Sequence, residues 1–151
     1  MSDQHPIVED AELGALVRAT TELTDGDVLV SDWYIGGITT DGGELDLMIE
    51  GTSPDEIAPL LPRLREVVSH LEALRRVASD AVVTQFSTGD PEPHELEEAA
   101  SDLSLETIEA SADGTIILHL TDGCGEHFPD GYWPAVHLDA DDRVEQVTVE
   151  T

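Results

Sequence analysis

Lysine is absent from this chain, and six arginines stand against 34 acidic residues, for a formal net charge of −28. Such a surface repels nucleic-acid phosphates and anionic membranes, so neither is an expected ligand. Cysteine occurs once, at Cys124, which excludes an internal disulfide. Aromatic residues make up 4% of the chain, so aliphatic packing has to carry the core. No apolar run approaches the ~20 residues that a membrane-spanning helix needs. The first ten residues, MSDQHPIVED, are acidic and lack an apolar core, which argues against a signal peptide. The expected compartment is the cytoplasm.

The 151 residues suit one compact domain with a real core. Met1–Asp10 reads as a flexible tail and residues 11–151 as a single α+β domain. Ala11–Thr24 fits a short helix or a strand; Thr20 and Thr21 favour strand. Val28–Val30 and Trp33–Thr39 look extended, with a break or bulge at Ser31-Asp32. Asp41-Gly42-Gly43 then closes a hairpin onto Glu44–Glu50, where Leu45, Leu47 and Ile49 alternate with polar neighbours and Met48.

Ser53, Pro54 and Glu56 together mark a helix start. A main helix is expected from about Pro62, because Leu64, Val67, Leu71, Leu74, Ala78 and Ala81 recur in steps of three and four. Asp90-Pro91-Glu92-Pro93 opens a second, short helix to about Ser101. From Leu103 to Val149 the chain reads as an antiparallel meander, with Asp113-Gly114 as a tight primed turn. The expected architecture is α+β: an antiparallel sheet of N-terminal strands plus the C-terminal meander, packed on one long and one short helix.

Candidate chemistry is sparse. His119, Cys124, His127 and His137 are the residue types that ligate zinc, and pairing of the strands holding His119 and His137 would put both rings on one face. Against this, the set lacks the two-pair spacing of a zinc finger, and each histidine can be an ordinary strand or loop residue. Asp139, Asp141 and Asp142 lack the spacing of a calcium loop and read as a polar turn. The phosphate-binding glycine motifs, GxSxG and HExxH do not occur. Two aromatic pairs, Trp33-Tyr34 and Tyr132-Trp133, are candidate partner-binding anchors, or plugs at the end of a core short of aromatics.

Several short features are shared with a loosely defined group of bacterial cytoplasmic domains. They are Leu13-Gly14 in a strand, Asp32-Trp33-Tyr34 in another, a helical middle, and a C-terminal series of Asp113-Gly114, Phe128, Trp133 and Asp139. The chain resembles this immunity-protein-like family. The Trp-Gly-His step typical of it is Trp133-Pro134-Ala135 here. The resemblance implies a β-β-β-α-α-β-β-β order and no enzymatic activity.

The function expected from these readings is that of a non-enzymatic acidic binding protein, in its most concrete form an immunity-type inhibitor of a basic toxin. Two alternatives stand beside it. One is a small metal-binding domain or enzyme using the His/Cys set. The other is a halophile's housekeeping domain whose acidity serves solvation.

Overall fold

The computed structural model describes residues 7–40, 43–122, 128 and 131–150. Its frame is an eight-stranded sheet: β1 (Val8–Asp10), β2 (Gly14–Glu22), β3 (Val28–Thr40), β4 (Gly43–Glu50), β5 (Leu103–Ala110), β6 (Ile116–Asp122), β7 (Trp133–Leu138) and β8 (Val144–Glu150). The strands lie in sequence order across the sheet. Neighbours are antiparallel except at the centre, where β4 and β5 run parallel and Leu47 sits beside Ile108.

The sheet is therefore mixed, which corrects the antiparallel expectation. The cause lies in the connection. Two antiparallel meanders, β1–β4 and β5–β8, are joined by the helical segment between Gly51 and Asp102, which carries the chain back across one face so that β5 starts at the end where β4 began. A crossover of that length is what a parallel pair needs. The helices also differ from expectation. A single turn, α1 (Pro54–Ile57), and a 3₁₀ turn lead into three longer helices: α2 (Leu61–Ser69), α3 (Leu71–Phe86) and α4 (Pro93–Asp102).

The expected long helix is broken at His70, whose φ of −118° and ψ of 29° leave the helical region. Its backbone N–H reaches back to Val67 O, tightening the last turn of α2, while Leu74 N–H takes His70 O to start α3. The apolar stripe survives the break: Leu64, Val67, Leu74 and Ala78 are buried, and Leu71 and Ala81 pack against them.

Two more readings change in detail. Val8–Asp10, placed in a free tail by sequence, pairs with Gly14–Leu16, and Asp10 is tied to α2 through Arg65. The Asp113-Gly114 turn is not a two-residue primed turn. Gly114 alone has positive φ, 92°, and Ser111 N–H to Thr115 O closes a longer loop. The helix start at Ser53 is as read, with Ser53 Oγ accepting from Glu56 N–H. The Glu56 carboxylate, however, reaches Thr52 rather than Ser53.

One face of the sheet meets the helices and holds the core. Leu45, Leu47 and Ile49 of β4 alternate inward as expected, and Ile116, Leu118 and Leu120 of β6 also face the core. β5 breaks simple alternation, because both Leu105 and Ile108 face the core three residues apart. A bulge between Leu105 and Thr107 absorbs the extra residue and restores the phase. A similar irregularity lies in β3, where the stretch around Ser31-Asp32 supplies two residues more than β2 between paired positions. The other face of the sheet has no described element crossing it.

Candidate binding face

The bulge in β5 sets the composition of the helix-free face. It turns Thr107 and Glu109 outward, opposite His119 and Ile117 of β6, which in turn face Ala135 and His137 of β7. Thr148 and Gln146 of β8 complete those two rows. On the N-terminal side, Trp33 and Ile35 of β3 lie beside Glu50 and Met48 of β4 on the same face.

A polar chain runs diagonally over this face. His119 Nε2 lies 2.9 Å from Glu109 Oε1, and the Trp133 indole N–H donates to His119 Nδ1 over 3.0 Å. An indole nitrogen can only donate, so Nδ1 carries no proton in the neutral ring and Nε2–H donates to the carboxylate. The His119 and Glu109 side chains are 15% and 16% exposed, deep for an uncovered sheet face, because they shield one another.

A second chain lies beside it. The Thr148 hydroxyl gives its one proton to Glu150 Oε2 at 2.9 Å, so it accepts from His137 Nε2, 3.0 Å away. His137 is left with a bare Nδ1, which has no hydrogen-bond partner among the described residues. Ala135, between the two chains, is fully buried although it is not part of the helix-side core.

The strands of His119 and His137 do pair, and both rings fall on one face in diagonal register. His119 has both nitrogens occupied, so ligating a metal would require giving up Glu109 or Trp133. Cys124 and His127 lie outside the described residues. Among the described ones, no three His, Cys, Asp or Glu side chains are grouped to hold an ion. The Asp139 carboxylate is spent on the hairpin turn, where its Oδ1 accepts from the N–H groups of Asp141 and Arg143. Those bonds, Arg143's first, hold its carboxyl below the ordinary carboxylate range.

The aromatic candidates separate. Trp33 and Trp133 are half-buried on the helix-free face, and Tyr132 is exposed next to it. Tyr34 is wholly buried in the core beneath the Arg18 guanidinium, so it cannot present its ring to a partner. Sequence reading missed Glu109, Thr148 and Glu150. Their signal would have been outward positions flanking a histidine; for Glu109 the bulge in β5 hides that phase, and for Thr148 and Glu150 the neighbouring strand had first to be known.

Charge on this face is one-sided. Four arginines, Arg63, Arg65, Arg75 and Arg76, are on the helices behind the sheet, each paired with a carboxylate. Arg18 pairs with Asp32 and donates to the carbonyls of Ser31 and Thr52. Arg143 is in the turn between β7 and β8. The outward positions of β3 to β8 therefore carry carboxylates and no arginine.

No protein-family model matches the chain, and neither does any curated protein or solved structure. Among the described residues, no helix is long and apolar enough to cross a membrane.

Proposed function

We propose that the chain is a non-enzymatic binding domain that presents its helix-free sheet face to a basic protein. The observation that carries this reading is the make-up of that face. Half-buried Trp33, Met48, Ile117 and Trp133 sit among Asp46, Glu109 and Glu150, with no arginine at the outward positions. Apolar area supplies affinity, and carboxylates without internal cations steer a positive partner and reject a negative one. An inhibitor of a basic toxin, as the immunity-like resemblance implies, is the concrete form of this activity.

The test is capture from a lysate of the source cell at moderate salt. The bait is the wild-type chain or a Met48→Ala/Ile117→Ala variant, which changes no charge. A basic protein held by the wild type and released by the variant is the expected result. Equal retention by both would move the contact off this face, and capture of no basic protein would end the reading.

The acid excess also supports the solvation reading, because five of the six arginines are consumed in ion pairs within the chain. The two readings part on salt dependence.

A further inference from the structure

On the helix side, away from the proposed partner face, an open groove of about 550 Å³ lies where α3 and α4 meet the ends of β5 and β8. Its floor is Val82, Ala99 and Leu103, all buried. Phe86, Phe128 and Val149 form its walls. The chain's two phenylalanines meet here edge to face, with ring centroids 5.7 Å apart. Phe86 is 54% exposed and Val149 42%, so described neighbours leave much of the wall bare. Glu95 and Glu98 stand on the rim from α4. Their neighbour Glu97 is paired with Arg76, but neither rim carboxylate has an ion-pair partner among the described residues.

We propose that this groove binds an organic cation with an apolar body, such as an aromatic quaternary amine. The volume falls within the roughly 300–1,000 Å³ of small-molecule sites. Aliphatic floor and aromatic walls take the apolar body, the phenylalanine faces attract a cation, and the two rim carboxylates complement its charge. A neutral apolar ligand would gain nothing from those exposed carboxylates, and an anion would be repelled.

The probe is benzyltrimethylammonium, whose charge does not vary with pH, titrated calorimetrically into the whole chain. A chain this acidic gathers cations everywhere, so the control is a charge-matched variant, Glu22→Gln/Glu145→Gln, remote from the groove. Saturable binding to one site is expected. It should weaken about tenfold in Glu95→Gln/Glu98→Gln and comparably in Phe86→Ala, and persist in the control variant. Binding that falls equally in the control and the rim variant would reduce the effect to bulk charge and overturn the site, as would no saturable binding. Sedimentation supplies the remaining outcome: a concentration-dependent dimer abolished by Phe86→Ala would make a second copy the occupant and also overturn the proposal.

Discussion

The indole N–H of Trp133 points at Nδ1 of His119 across 3.0 Å, and this one bond fixes the chemistry of the imidazole. It forces the neutral ring into the Nε2–H form, which then donates to Glu109. Nitrogen-15 shifts of the histidine ring should show Nε2–H as the dominant tautomer. Trp133→Phe removes the donor and keeps an aromatic body, so it should cost about 1 kcal/mol and release the ring into a tautomer mixture. A wild-type ring protonated mainly on Nδ1 would contradict the network.

Asp10 ties β1 to the helical layer and should give the chain a distinct acid response. The hydrogen bond from Arg65, at 2.8 Å, holds its carboxyl below the ordinary carboxylate range, against burial that pushes the other way; the N–H groups of Glu12 and Leu13 add to the lowering. A carboxyl depressed in the folded state stabilises fully above its unfolded value, near ~3.9, and loses that contribution as pH falls through the folded value. Asp10→Asn keeps an oxygen for the two N–H groups but loses the ion pair. Its urea midpoint should lie below that of the wild type by the equivalent of about 1–2 kcal/mol at neutral pH. The gap should hold down to about pH 5, shrink as pH falls past the unfolded value, and close only below the depressed folded value. A gap unchanged at the acid end would mean that Asp10 acts through shape rather than charge.

Local pattern and global adjacency were not equally readable. The inward alternation of Leu45, Leu47 and Ile49, and of Ile116, Leu118 and Leu120, is set by residues two apart and is visible in sequence. So is the helical stripe from Leu64 to Ala81. The pairing of Leu47 with Ile108 is not visible, because no periodicity reports which strand lies beside which across a long helical connection of this kind. The break at His70 turns on one residue's dihedrals, with no proline or glycine there to announce it. The Glu109–His119–Trp133 chain depends on diagonal register across three strands, and the bulge after Leu105 shifts that register by one residue. A strict alternation read through β5 would have turned either Leu105 or Ile108 to solvent.

The parallel centre of the sheet can be probed where those two partners meet. Leu47 and Ile108 are both fully buried and adjacent in register. Leu47→Ala and Ile108→Ala should each destabilise by about 2–5 kcal/mol, since each leaves a void that the sheet and helices cannot fully close. Being in contact, they should couple: the double variant should differ from the sum of the singles by about 0.5 kcal/mol or more. Chemical denaturation of the four proteins measures this. Strict additivity would indicate that the two side chains do not share a space and that β4 and β5 are not neighbours.

Salt separates charge as a recognition device from charge as a general burden. With 34 acids, six arginines and five of those arginines already paired internally, the remaining carboxylates see mainly one another. Folding brings them closer than in the expanded chain, so their repulsion opposes folding. The screening length falls from about 10 Å at 0.1 M to about 3 Å at 1 M salt, which removes most repulsion between neighbouring surface groups. The urea midpoint should therefore rise steadily between dilute buffer and molar KCl, and a parallel titration with NaCl should give nearly the same curve if screening is the cause. Failure to fold in dilute buffer with recovery in KCl would favour the solvation reading. A chain already stable at low salt, gaining little more, would show that the acids are spaced widely enough to cost little, and would leave the one-sided face of β3 to β8 to be explained by what it binds.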